Sequence, residues 1–100
     1  MYRYQWSVEI QYGRKRELLE ILKEIKRVED SRGWSPAMVW TPVFGQMHTA
    51  VLEADYPDLT ALEREEEKRS ADAEFEELMA QTLPLAVQGT SHVRLLISQE

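Results

Sequence analysis

Residues 2–12 alternate. Tyr2, Tyr4, Trp6, Val8, Ile10 and Tyr12 fall on one face, with Arg3, Gln5, Ser7, Glu9 and Gln11 on the other. That period of two predicts a β-strand. Gly13 permits a turn, and from Arg14 the spacing changes. Leu18, Leu19, Ile21, Leu22, Ile25 and Val28 recur three and four residues apart, the mark of an amphipathic helix. Glu20 with Lys23, and Glu24 with Arg27, are spaced to pair on its outer face. Gly33 and the Ser35-Pro36 step are expected to end it.

A second strand is predicted over Ala37–Phe44, with Ala37, Val39 and Val43 on one face and Met38, Trp40 and Phe44 on the other. Pro42 lacks an N–H, which places this strand at a sheet edge or gives it a bulge. Gly45-Gln46 occupies the hairpin turn, and Met47–Asp55 forms the third strand. Asp58 suits the N-cap of a helix from Leu59. Ser70-Ala71-Asp72 offers an interruption and a second cap, after which Phe75, Leu78, Met79 and Leu83 make a short apolar stripe that Pro84 ends. The last strand runs over Thr90–Ser98, where Val93, Leu95 and Ile97 alternate with His92, Arg94 and Leu96. The order β-α-β-β-α-β is the ferredoxin-like arrangement, an α+β fold with a four-stranded antiparallel sheet. Its expected spatial strand order is 4-1-3-2, both helices lying on one face.

With 100 residues the chain supports a single domain, residues 1–100. The balance of 18 acidic to 12 basic residues argues against a nucleic-acid partner. Arg14–Arg27 is mainly basic and Glu53–Glu77 mainly acidic, so two helices of opposite charge can lie side by side. There is no apolar run of about 20 residues, so no membrane span is expected, and the alternating start does not read as a secretory leader. The absence of cysteine excludes disulfides and a thiol nucleophile. A cytoplasmic location is the resulting expectation.

The predicted strands two and three are apolar on both faces, whereas the open face of a lone ferredoxin-like sheet should be polar. A second copy of the chain is the natural cover, two sheets facing each other as an eight-stranded barrel. Trp40–Leu62 sharpens this reading. It carries a tryptophan-bearing strand, a glycine turn, a strand with a polar mid-position, and an aromatic and a leucine opening a charged helix. Together with Asp72–Phe75 and the Leu-Pro before the last strand, it resembles the NIPSNAP-like proteins of the dimeric α+β barrel superfamily. The resemblance implies a homodimeric α/β barrel. Haem binding and cofactor-independent oxygenases or isomerases occur elsewhere in that superfamily.

His48 and His92 are the two histidines. Neither has metal-ligand spacing or a haem motif, so neither a metal nor another cofactor is expected. By strand parity Glu9, His92 and Arg94 point into the barrel, where Glu9 and Arg94 are expected to meet as a polar end. Met38, Trp40 and Phe44 would form an apolar wall, and His48 joins the candidate lining. The expected function is binding of a small apolar or aromatic ligand in the barrel. The alternative is a cofactor-independent monooxygenase or isomerase acting on a small aromatic or lactone substrate, with His48, His92 or Glu9 as base.

Overall fold

The computed structural model describes residues 1–45 and 47–99. Its elements are β1 (Tyr2–Glu9), α1 (Lys15–Arg32), β2 (Ala37–Trp40), β3 (Thr49–Tyr56), α2 (Leu59–Ala71), α3 (Ala73–Thr82), a 3-10 turn (Leu83–Leu85) and β4 (His92–Ile97). The four strands pair antiparallel in the order β2-β3-β1-β4. This is the expected ferredoxin-like α+β topology, with its second helix divided in two.

The core lies between the sheet and the helices. Val8, Ile10 and Ala50 of the sheet side meet Leu18, Leu22, Ile25 and Val28 of α1, and Phe75 and Leu85 close the cluster. Gly33, at φ 72°, ends α1 in the left-handed region. Its own N–H donates to the Asp30 carbonyl, and the Trp34 N–H donates to that of Glu29, satisfying carbonyls that the helix end would otherwise orphan. Asp58 caps α2 through the Ala61 N–H at 2.8 Å, and Asp72 caps α3 through the Phe75 N–H at 2.9 Å. The interruption expected at Ser70-Ala71-Asp72 is therefore real.

The charge segregation between helices is used. Arg32 binds Asp72 at 2.8 Å and Glu74 at 3.0 Å, and Arg27 reaches Glu74 at 3.8 Å. The basic end of α1 is thereby tied to the acidic start of α3.

Several boundaries differ from the sequence pattern. β2 stops at Trp40 rather than Phe44, because Pro42 cannot donate to the ladder. β3 starts at Thr49 rather than Met47, and Gln46 of the expected turn lies outside the described residues. β1 ends at Glu9, yet Ile10 still bridges to Ala86. At β4 the correction concerns cover. Val93, Leu95 and Ile97 lie on the helix side of the sheet, as parity requires, but the helices do not reach them. They are 58, 46 and 55% exposed. α1 packs on β2 and α2 on β3, so the helix layer is displaced toward that edge.

The Asp72 cap carries a pH signature. Its bond from Arg32, then the Phe75 N–H, holds its carboxyl below the usual range. A depressed folded pKa means that the stabilisation is present above the ordinary carboxyl value of about 4 and fades as pH falls through the folded value. Urea unfolding at pH 6 and at pH 3 should therefore show a larger acid loss for the wild type than for Asp72→Asn. An equal loss would show that the Asp72 carboxyl does not titrate below its ordinary value.

Candidate functional site

The face of the sheet away from the helices is organised in cross-strand rows. One row runs Trp40, Val51, Ser7, His92 and the next Met38, Glu53, Gln5, Arg94. A third sets Asp55 beside Arg3 and Leu96. Met38 and Trp40 are about half exposed here. Five of the expected lining residues, Glu9, Met38, Trp40, His92 and Arg94, thus share one face.

The other two do not join them. Phe44 lies beyond the end of β2 in the connection to β3 and is 89% exposed. His48 stacks at a tilt on Tyr12, ring centroids 5.7 Å apart, beside the start of α1. Its backbone carbonyl accepts the Ile10 N–H at 2.7 Å. Pro42 ends the alternation that would have carried Phe44 to the open face, and His48 precedes the first residue of β3.

Glu9 and Arg94 share the face but not a row. Arg94 stands opposite Gln5, and Glu9 stands opposite Thr49. Four residues of β1 separate the two levels, about 13 Å along the strand. The carboxylate and guanidinium that do meet on this face belong to β3 and β1. Glu53 accepts from Gln5 Nε2 at 2.6 Å and lies 3.5 Å from Arg3 Nε, and Arg3 also binds Asp55 at 2.8 Å. Glu9 instead helps line a hollow of about 200 Å³ with Ser7, Thr49, Thr90 and His92.

A larger cleft lies on the opposite side of the sheet, where the helix layer falls short. After the 3-10 turn the chain is stitched to the end of β1. The Gln11 N–H donates to Leu85 at 2.8 Å, and the Val87 N–H donates to Glu9 at 2.9 Å. Gly89, at φ 82°, then turns the chain toward β4. This rim, α3 and β1 border a half-open cleft of about 720 Å³. Trp6, Val8, Met79, Leu83, Ala86 and Val87 supply its apolar wall. The Trp6 indole is fixed there by donating to Ser91 Oγ at 2.8 Å. Glu76 is the one ionisable side chain among the described lining residues.

Trp6 and Met79 also border a second, inner cavity of about 120 Å³ reaching under α2. Its polar wall comes from Glu29, Tyr56, Glu66 and Arg69. Arg69 is 7% and Glu29 2% exposed. The guanidinium donates to Glu29 at 2.8 and 3.1 Å, to Glu66 at 3.2 Å and to Glu65 at 3.4 Å. It also lies over the rings of Trp34 and Phe75, at 5.4 and 5.9 Å. Burial raises the Glu29 carboxyl above its ordinary pKa, with Arg69 opposing the shift. Burial, and then the nearby Glu65 carboxylate, likewise push up the Tyr56 phenol. Even so, the Tyr56 hydroxyl and Glu29 Oε1 close no hydrogen bond of good geometry among the described residues.

The sequence pattern did not expose this cluster, because Arg69 sits within a charged run that reads as a solvated face. A signal was nonetheless present. Leu62, Glu65, Glu66 and Arg69 recur at helical spacing, which puts Arg69 on the same inward side as Leu62.

Comparison with known proteins supports the fold. The structure superposes on a NIPSNAP domain protein from Burkholderia xenovorans with a TM-score of 0.82 at 17% identity, covering 99% of this chain and 95% of that one. It matches a NIPSNAP family protein from Agrobacterium tumefaciens with a TM-score of 0.82 at 14% identity, over 99% and 93% of the two chains. An antibiotic biosynthesis monooxygenase matches with a TM-score of 0.77 at 14% identity, over the full length of both chains. No family model matches the sequence, nor does any curated protein. The chain therefore has the NIPSNAP-like, ferredoxin-like fold, as the sequence resemblance implied.

Removing one member of the buried ion cluster should cost far more than removing both charges. Arg69→Met leaves Glu29 buried without its cation and should destabilise by about 3–5 kcal/mol in urea unfolding. The double variant Arg69→Met, Glu29→Leu should recover much of that loss. Additive losses would show that the two side chains are not energetically coupled.

Proposed function

We propose that this NIPSNAP-like fold serves as a homodimeric binding protein for a small apolar or aromatic ligand, held in the cleft between α3 and the sheet. The observation that carries this reading is the cleft itself. Its volume of about 720 Å³ lies within the roughly 300–1,000 Å³ of small-molecule sites, and its wall combines apolar side chains with a few polar groups. The reading moves the ligand from the open face expected from parity to the helix side.

The homodimer is proposed from the open face. Met38 and Trp40 lie there beside Val51, with Leu96 at the opposite corner and Gln5, Glu53 and Arg94 between them, and a facing sheet would remove the apolar members from water. A barrel closed in this way would also enclose the 200 Å³ hollow beside His92 and Glu9, which makes the barrel interior the second ligand location. The proposed compartment is the cytoplasm, where a chain without cysteine lacks nothing it needs. No described helix is long and apolar enough to cross a membrane.

The alternative is catalysis, as a cofactor-independent monooxygenase or isomerase on a small aromatic or lactone substrate. It draws on the fold shared with the antibiotic biosynthesis monooxygenase. Such chemistry needs a base at the bound substrate. The described cleft wall offers Glu76, while His48 lies beside Tyr12 and His92 on the open face. That distribution favours binding.

Two measurements test the proposal separately. Sedimentation at micromolar concentration should give a dimer, consistent with an interface of more than about 1,200 Å², and Trp40→Glu should shift it toward monomer. A monodisperse wild-type monomer would remove the dimer. The neutral fluorophore N-phenyl-1-naphthylamine should bind the protein with a rise in emission. Ala80→Trp, which fills the cleft from α3, should abolish that rise. Undiminished binding in this variant would exclude the cleft.

A further inference from the structure

We infer that the end of the sheet where β1 leads into α1 docks on an anionic lipid bilayer. The inference rests neither on the cleft nor on the dimer. Glu9 stands opposite Thr49 and Trp40 opposite Val51, so Tyr12, the β2–β3 connection and the first turn of α1 emerge at the same end. Tyr12, Val43 and Phe44 are more than three-quarters exposed, and Met47 is about half exposed. Tyr12 and Met47 border one shallow hollow with Lys15, Arg16 and His48. Val43 and Phe44 lie in the same connection as Met47.

The neighbours of these apolar side chains are cationic. Lys15, Arg16 and Lys23 border a further hollow on the outer face of α1, with Glu20 as its carboxylate. Arg14 is paired to Glu17 at 2.8 Å. No ion pair or hydrogen bond among the described residues engages the side chains of Lys15, Arg16 or Lys23. Asp72 and Glu74 bind the other end of α1, at Arg32, about 25 Å from Lys15 along the helix. That exceeds two Debye lengths in about 0.1 M salt. A surface meeting the start of α1 therefore feels the local cations more strongly than those carboxylates.

Exposed aromatic and aliphatic side chains beside unengaged cations suit an anionic interface. The apolar groups leave water at the acyl boundary, the Tyr12 ring fits the headgroup level, and the cations meet lipid phosphates. A second copy fits poorly, because a two-fold contact here would set the cations against their own counterparts. The patch lies at the strand ends rather than on the open face, so it is distinct from the surface proposed for the dimer.

Flotation of the full chain with vesicles in about 0.1 M salt tests this. Vesicles of equal parts phosphatidylcholine and phosphatidylglycerol should carry the protein, and phosphatidylcholine alone should not. Raising the salt to about 1 M should release it. The double variant Lys15→Ser, Arg16→Ser should bind about thirtyfold more weakly, the effect of two surface charges. Phe44→Ser should also weaken binding, and Phe44→Trp should bind with a blue shift in emission beyond that of the wild type. These side chains lie outside the core, so the thermal midpoint should stay in place. No binding to the mixed vesicles overturns the inference, as does full binding by the folded Lys15→Ser, Arg16→Ser variant. Equal binding to both vesicles, or a Phe44→Trp emission that does not shift, also overturns it. Association beyond a dimer that Lys15→Ser, Arg16→Ser abolishes, without vesicle binding, would assign the patch to an acidic face of another copy and overturn lipid docking.

Discussion

The helix layer of this protein is narrower than its sheet, and the layer is anchored to one side. α1 packs on β2 and α2 on β3, so the cover ends before β4. A sheet face can exclude water only where something lies over it. Val93, Leu95 and Ile97 therefore stay exposed although they occupy inward parity. The space between α3 and β1 is the other product of that displacement, and the rim at 86–91 turns it from an open edge into a cleft.

What holds the layer in place is unusual for so small a core. Arg69 carries its charge into the packed region, where its aliphatic stem replaces apolar side chains that α2 lacks and its head meets Trp34, Phe75 and Glu29. Glu65 extends the same network to the start of β2 by accepting from the Ser35 N–H at 2.6 Å and the Ser35 hydroxyl at 3.1 Å. Arg32 secures α1 to the break before α3. Polar contacts thus do for α2 and α3 what a continuous apolar stripe does for α1. Such contacts fix geometry even where their net contribution to stability is small.

These two modes of attachment explain what could be read from the sequence. α1 and β1 were legible because their apolar residues keep a strict period and their burial follows it. The strand order followed from topology, and the Asp72 break followed from capping chemistry. The ends of β2 were harder, since Pro42 stops the ladder while the apolar alternation continues to Phe44. The Glu9–Arg94 pairing failed because parity fixes a face but not a level. Only the register shows that Arg94 stands opposite Gln5. The inner cluster was the least legible part, because a charge on the buried side of a helix looks in sequence like a charge on the wet side. Only the spacing of Arg69 from Leu62 marks the difference.

The β1–β4 ladder joins the two ends of the sequence, and the Ser98 N–H donates to the Met1 carbonyl at 3.0 Å. This pairing closes nearly the whole chain into one loop, so it carries a large loop-closure entropy cost and should form late in folding. Among the described residues, β4 has no strand on its outer edge and little cover on its helix side. It is therefore the strand whose amides should exchange with solvent at the lowest opening energy. The segment 86–91 leads directly into it, so the rim of the cleft hangs on the most easily released strand. A molecule bound in the cleft would slow that opening, and its occupancy would be readable as protection of backbone amides in β4 that it never touches.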